Sequence, residues 1–588
     1  MKIKKYIPIT DWITRYNREQ LRGDLTAGLT VGVMLVPQGM AYAMLAGLPP
    51  IYGLYASILP LVMYAIFGTS RQLAVGPGAM ICLLVAAGIG GMAEAGSNNY
   101  IELAILLAFM VGVIQLLLGL FRLGFLVNFL SHPVISGFTS AAALVIGMSQ
   151  LKHLFGMDIP RSHHIHTILI YAGEHISTLH WPTFGVGLAG ILLILLLRKY
   201  VKKVPGSLAV VVLGIAAVAA LGLDATGMKI IREVPSGLPL LSLPAFSMEA
   251  ITALMPVALT ISLIGFMQSI ALAKAIEAKH KDYIVDANQE LIGLGMANLG
   301  GALLKGFPVS GGYARTAVND QSGARTGMAA IVSAAFIALT LLLLTPLFFY
   351  LPQAILASII MVAAFGLIDL ATVRELWRTD RRDLVLLLAT FAATLTFGIE
   401  LGIGVGVSLS LGMMIYRSAY PHVAELGQLE NSRHYRNIER FPEAIQRDDI
   451  LVFRFDAQLY FANISFFQAQ LAQMMAAKGS ELKLIILNAE MISFTDSSAV
   501  RMLVSLAADL KQQNIHFALA GVNGPVRDTL FRSGLTKLLG ESCMFLHVAD
   551  AVTYFENKSA GHPNPPTSLS QAATQTSIPS PRKGKNNT

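Results

Sequence analysis

Runs of apolar residues, each bounded by a short polar or glycine-proline stretch, recur along the first two-thirds of the chain. They fall near 25–47, 51–68, 78–93, 101–120, 132–151, 183–197 and 206–222. A second set falls near 249–273, 285–303, 313–322, 326–350, 353–370, 383–397 and 402–416. A full span of a bilayer takes about 20 apolar residues, so the pattern predicts roughly fourteen segments in two sets of seven, some of them half-spans. An odd number per set makes the two halves insert with opposite orientation, which is an inverted repeat. The third segment of each set opens on a break. One break reads Leu73-Ala-Val-Gly76-Pro77-Gly78-Ala79-Met80, and the other Lys305-Gly-Phe-Pro308-Val-Ser310-Gly311-Gly312-Tyr313-Ala314-Arg315-Thr316. Backbone that is not helical cannot face lipid, because its N–H and C=O groups would go unpaired. Paired breaks in two halves therefore mark a cavity at membrane depth.

Beyond Arg417 the pattern changes. Residues 418–449 are charged and mixed and read as a linker. Ile450-Leu-Val-Phe-Arg-Phe455, Leu484-Ile-Ile-Leu487 and His516-Phe-Ala-Leu519 read as buried strands. Helical patterns at about 464–477, 498–513 and 525–533 alternate with them, which predicts a small α/β domain over 450–556. From Asn557 to Thr588 the chain is Ser, Pro, Gln, Thr and Lys with almost nothing apolar, the composition of a disordered tail.

Composition sharpens the class. The 588 residues are 54% hydrophobic and 13% charged, with mean hydropathy +0.61. A soluble domain carries about 25% charged residues, so the expectation is a polytopic helical membrane protein over 25–417, preceded by a polar segment 1–24. The net charge of +8 does not indicate nucleic acid, because the cations sit beside the apolar runs. With the N-terminus cytoplasmic, the inner loops carry Arg71, Arg122, Arg198, Lys199, Lys202, Lys203, Lys274, Lys279, Lys281, Arg325, Arg374, Arg378, Arg381, Arg382 and Arg417. The outer loops carry few cations, among them Lys152, Arg161, Lys229, Arg232 and Lys305. That bias places both termini inside, in a cell (inner) membrane. No removable signal peptide is read. Residues 121–131 and 371–378 read as amphipathic surface segments. Cys82 and Cys543 imply no disulfide, and His163, His164 and His166 read as a solvent-exposed loop cluster rather than a metal site. No cofactor motif, P-loop or catalytic constellation is read, so neither an enzyme nor an ATP-driven pump is expected.

The breaks carry the chemistry. Two half-helices whose N-termini meet near mid-membrane point unpaired N–H groups into the gap, each terminus bearing about half a positive charge. Glycines at 76, 78, 311 and 312 would let an ion approach the backbone. Arg315 falls in the first turn of the second half-helix, where it answers an anion, snorkels to the surface or pairs with a carboxylate. Gln38 and Tyr42 share one face of the first segment, and either line the site or pack against neighbours. Gln268 and Ser269 form a polar pair in the eighth segment; a neutral amide there hydrogen-bonds an anion but carries no proton. In the soluble domain, Asp496 and Ser497 open a helix and read as its cap.

At these residues the chain resembles the sulfate permease (SulP) family, which includes the animal solute carrier 26 exchangers and prestin. The matching stretches are Val36-Pro-Gln-Gly-Met-Ala-Tyr-Ala43, Gly47-Leu-Pro-Pro-Ile-Tyr-Gly-Leu-Tyr55, Ser131-His-Pro-Val-Ile-Ser-Gly-Phe-Thr-Ser-Ala141, Val285-Asp-Ala-Asn-Gln-Glu-Leu291 and Phe307–Thr316. Phe453-Arg-Phe-Asp-Ala-Gln-Leu-Tyr-Phe-Ala462 and Asp496-Ser-Ser-Ala499 resemble the STAS domain, and the resemblance implies a regulatory phosphorylation at Ser497 beside Asp496 as the alternative to a simple cap. The resemblance implies a core domain of segments 1–4 and 8–11 that moves as an elevator against a gate of segments 5–7 and 12–14. It implies an anion held by Gln38, Tyr42, Gly78, Ala79, Met80, Ala314 and Arg315, with Gln268 where proton- or sodium-coupled members carry an acid. It also implies a homodimer, and the STAS domain a cytoplasmic partner. The expected function is secondary transport of small inorganic anions, sulfate first. Bicarbonate, chloride, nitrate, molybdate and dicarboxylates stay open, as do a STAS-linked anion sensor and a channel or voltage-driven motor.

Overall fold

The computed structural model describes residues 7–125, 131–159, 165–201, 205–232, 235–535, 539 and 543–560. The chain divides into two compact units, residues 1–410 and 411–588. All fourteen expected segments are helical; thirteen lie within the first unit, and the fourteenth runs from it into the second. Segments 1 to 7 are Arg18–Leu45, the broken pair Ile51–Tyr55 and Leu59–Phe67, Ala79–Gly90, Asn98–Leu120, His132–Ser149, Trp181–Tyr200 and Gly206–Leu221. Segments 8 to 14 are Met248–His280, Ala287–Leu303, Tyr313–Gln321, Met328–Leu343, Gln353–Phe365, Arg381–Phe397 and Ile399–Ala419. Segments 1, 4, 5, 6, 8 and 12 belong to helices long and apolar enough to cross a membrane. Segments 3 and 10, at 12 and 9 residues, reach only about 18 and 14 Å at 1.5 Å per residue, half of a bilayer core.

The closest helix packing falls into two groups. Segments 2 and 4 lie against 9, 8 against 4, and 11 against 1; separately, 5 lies against 13 and 12 against 6. Segment 1 also meets 7 and 12, so it stands where the groups adjoin. The contact of segments 4 and 9 needs glycine. A Cβ on Gly295 would lie 2.7 Å from the Leu116 backbone nitrogen and 2.9 Å from the Gly112 carbonyl oxygen. Small residues let two helix backbones meet where lipid supplies no hydrophobic drive.

Two fully buried carboxylates tie loops to these helices. Asp24 of segment 1 accepts from the amides of Arg325 (2.6 Å) and Thr326 (3.0 Å) and from the hydroxyls of Thr326 (2.6 Å) and Tyr16 (3.1 Å). Glu290 of segment 9 accepts from the Thr69 amide (2.7 Å) and hydroxyl, the Ser70 amide (3.0 Å) and the Tyr64 hydroxyl. A carboxylate taken out of water is tolerated when its lone pairs are answered this fully.

The second unit carries a six-stranded sheet in the order Tyr435–Asn437, Val423–Gln428, Ile450–Phe455, Leu484–Asn488, His516–Ala520, Met544–Phe545. The first three strands pair antiparallel and the last four parallel. Alternate residues enter opposite cores. Leu451, Phe453, Phe455, Ile485 and Leu487 pack with Phe467 and Leu503, while Ile450, Val452, Leu484 and Ile486 pack with Val548 and Val552.

Several expectations need correction. The stretch 418–449 is not a bare linker: its two strands extend the sheet, their short apolar alternation masked by charged neighbours on the exposed face. The last helix, Val548–Ser559, runs three residues past 556 because Val548, Ala551 and Val552 anchor it to the sheet. A helix at Ile165–Glu174 stands in what read as a loop. The amphipathic segment 371–378 is the helix Leu370–Thr379, whereas at 121–131 residues 126–130 lie outside the described residues. His163, His164, Arg161, Lys202, Lys203 and the tail from 561 also lie outside them.

Candidate anion site

The two breaks meet. Val75–Gly76 and Ser310–Gly311 pair as short antiparallel strands, with Val75 opposite Gly311 and Gly76 opposite Ser310. Their polar groups are satisfied from inside the bundle, as membrane depth demands. The Gly312 amide donates to Ala74 O (3.1 Å), and the Ala74 amide to Thr316 Oγ1 (3.0 Å). Asn298 of segment 9 pairs with Val309 like a strand neighbour, accepting from its amide (2.8 Å) and donating to its carbonyl (3.2 Å). The Gly311 amide donates to Ser269 Oγ (2.9 Å), so Ser269 braces the second break.

From this pair the half-helices leave. In segment 3 the first intrahelical bond runs from the Cys82 amide to Gly78 O (2.9 Å), leaving the amides of Ala79, Met80 and Ile81 ahead of it. In segment 10 it runs from the Thr316 amide to Gly312 O (2.9 Å), leaving those of Tyr313, Ala314 and Arg315. Ala79 and Met80 are buried, Gly78 is half-buried and Ala314 is exposed.

Arg315 is 2% exposed. Its guanidinium crosses from the second break to the first and donates through Nη1 to the Pro77 carbonyl. Nε and Nη2 are buried with no hydrogen-bond partner. No ion pair among the described residues uses it, and its electrostatic neighbours are Tyr42 and Cys82. Of the three readings of this cation, snorkelling and carboxylate pairing are therefore excluded; what remains is a buried positive charge with two donors unanswered. Asp320, in the last turn of segment 10, is taken by Lys279 and by His280 (2.5 Å).

The glycines divide. A Cβ on Gly312 would sit 2.6 Å from Arg315 Cζ and Nη2. That glycine makes room for the guanidinium rather than for an approaching ion, which corrects the expectation for this position. Gly311 likewise faces Leu73 and Ser269, at 2.9 and 3.1 Å. Gly78 and Gly76 stay open, with Ser310 Oγ 3.6 Å from the Cβ position of the first and Arg315 Nη2 3.5 Å from that of the second. Ser310, fully buried with an unpartnered Oγ, is a site-wall residue that sequence reasoning missed. Its signal was a hydroxyl inside a break.

Segment 1 packs against both half-helices and brings Tyr42, 7% exposed, and the half-buried Gln38 to the same region. Segment 8 packs against segment 3 and the second strand; its Gly265 faces Ile81 and Ser310, and Gln268 lies one turn on, half-buried with Oε1 unpartnered. Asp496 and Ser497 belong to the other unit. There Asp496 caps the helix Ser497–Gln512, accepting from the Ala499 amide (2.8 Å) and the Phe461 amide (3.1 Å), with Ser497 exposed beside it. No cluster of three metal-ligating side chains occurs among the described residues.

Fourteen apolar segments, two of them half-helices meeting at a buried unpaired cation, define a polytopic membrane permease. The chain belongs to the sulfate permease family, whose signature covers residues 21–390, and it carries a STAS domain over 441–551. It is 42% identical to sulfate transporter 4.1, chloroplastic, of Arabidopsis thaliana, over 94% of this chain and 82% of that protein. It is 36% identical to a probable sulfate transporter of Mycobacterium tuberculosis, over 92% and 97%. In fold it matches the murine solute carrier 26 family member A9 anion transporter in its inward-facing state, with TM-score 0.86, 24% identity and 94% of each chain covered.

Proposed function

We infer that the chain is a secondary transporter of small oxyanions, with sulfate its principal substrate. The observation that carries this is Arg315: buried, without a carboxylate, two donors free, and flanked by the free amides of two half-helices. Sulfate, with four acceptor oxygens and two charges, answers a guanidinium edge and two helix N-termini at once. The sulfate transporters among the relatives support the same choice. Gln38, Tyr42, Gly78, Ala79, Met80, Ala314 and Arg315 form the proposed binding set, with Gln268 at its edge. Segment 1 lies where the two packing groups adjoin, so sliding one group past the other would carry the site across the membrane. Gln268 has no proton to give, so exchange or downhill flux is favoured over proton or sodium coupling at that position. The cation bias favours an inner membrane with both termini cytoplasmic. A homodimer, and a cytoplasmic partner at the STAS domain, complete the reading.

Uptake of labelled sulfate into proteoliposomes tests it, with competing anions and with or without pH and sodium gradients. The expected result is saturable uptake, stimulated by sulfate inside and indifferent to both gradients. Binding without flux of any anion would leave a sensor instead.

A further inference from the structure

Outside the anion site, a cavity of about 680 Å³ opens on the cation-rich face of the helical unit. It is walled by Pro8–Trp12, the ends of segments 2 and 4, and the turn between segments 8 and 9. None of its lining residues belongs to the proposed binding set. Its acids are accounted for in part by neighbours: Asp282 pairs with Arg71 at 3.2 Å, and Asp286 accepts the amides of Asn288 and Gln289, each at 2.9 Å. Asp11 also lies on the wall. Arg71 lies over the Tyr283 ring, 5.1 Å from its centre.

Two cations, Arg122 and Lys281, line the cavity with no ion-pair partner among the described residues. Both terminate their helices in the left-handed region, at φ 59° and 60°. Glycine or asparagine adopts that conformation more easily, yet a cation stands at each. Beside them an apolar collar is left bare: Leu120 and Ile284 line the mouth and are 54% and 82% exposed, and Phe121 next to Arg122 is 72% exposed. A free inorganic anion would use the cations and leave the collar idle. A phospholipid uses both, and basic pockets between helices near a membrane surface suit anionic headgroups.

We propose that this cavity seats the phosphate headgroup of an anionic phospholipid, with Arg122 and Lys281 on the phosphate and the acyl chains against Leu120, Phe121 and Ile284. The test is the thermal unfolding midpoint of the full-length protein in neutral detergent. It is titrated separately with dioctanoyl phosphatidic acid, dioctanoyl phosphatidylcholine and inorganic phosphate. The phosphatidic acid should raise the midpoint saturably, and the other two should not at the same concentration. The double variant Arg122→Gln/Lys281→Gln should need about thirty-fold more phosphatidic acid for half the effect, while keeping its basal midpoint and its sulfate uptake in phosphatidylcholine vesicles. Ile284→Asp leaves both cations in place, and should also weaken the response by placing a carboxylate on the collar. No shift with phosphatidic acid, or an unaltered response in both variants, overturns the site. An equal shift with inorganic phosphate overturns the lipid as its occupant.

Discussion

Replacing Gly312 with alanine tests how the site is assembled without touching any charged group. The new Cβ would lie 2.6 Å from Arg315 Cζ and Nη2 and 2.9 Å from Nε, about 1 Å inside ordinary van der Waals contact. Gly312 has φ −106°, which alanine adopts freely, so the backbone has no reason to move. The atoms in the way are the far end of a flexible side chain. The guanidinium therefore yields, and with it go the aim of Nε and Nη2 and the bond to Pro77 O. A hydrogen bond to a charged group contributes about 1.5–3 kcal/mol, so misplacing even one of them costs roughly ten- to two-hundred-fold in sulfate affinity. Equilibrium binding of sulfate to purified protein, with thermal unfolding as a control, separates the two effects. The expected variant keeps its unfolding midpoint within about 2 °C and loses at least ten-fold in affinity. Unchanged affinity would refute the placement of the guanidinium over Gly312.

Gln268→Glu should give sulfate uptake a dependence on external pH that the wild type lacks, since a carboxylate at a buried position gains a proton as it enters a low-dielectric site; uptake against imposed pH gradients reads this directly. Gly295→Val should lower stability by about 3 kcal/mol or prevent folding, because the clash is with the Leu116 backbone and no rotamer relieves it; thermal unfolding in detergent reports it. In the soluble unit, two hydrogen bonds from Arg447, at 2.9 and 2.8 Å, hold the Asp449 carboxyl below the ordinary carboxylate range against the opposing effect of burial. A carboxyl depressed on folding adds stability above its unfolded value of about 3.9, and that stability fades as pH falls through the folded value. Asp449→Asn should therefore cost under about 1 kcal/mol at pH 7, the pair being partly exposed, and progressively less as pH falls below the unfolded carboxylate range. Hydrogen exchange of the sheet amides across that range measures the difference.

The fourteen segments were legible because an apolar run of membrane length has one physical outcome, and the breaks because proline and glycine interrupt it. Arg315 stood out for the same reason: one cation in an apolar surround. What held the site together was not legible. Asn298 reaches Val309, and Thr316 reaches Ala74 across 242 residues, through contacts that leave no periodic trace. Gly312 looked like room for an ion and is room for a side chain, a distinction that depends on one rotamer. The strands at Val423–Gln428 and Tyr435–Asn437 were hidden because an edge pair is polar on its open face. Helix Ile165–Glu174 was missed because ten residues lie below the length at which an apolar run declares itself.

In the proposed site the guanidinium of Arg315 is the group that holds the anion. Sulfate binding to Arg315→Gln and Arg315→Lys, measured beside the wild type at one ionic strength, tests it most directly. The glutamine variant should lose more than about a hundred-fold in affinity, with only partial recovery in lysine, which restores the charge but not the paired donors. Sulfate bound by Arg315→Gln with wild-type affinity would contradict it.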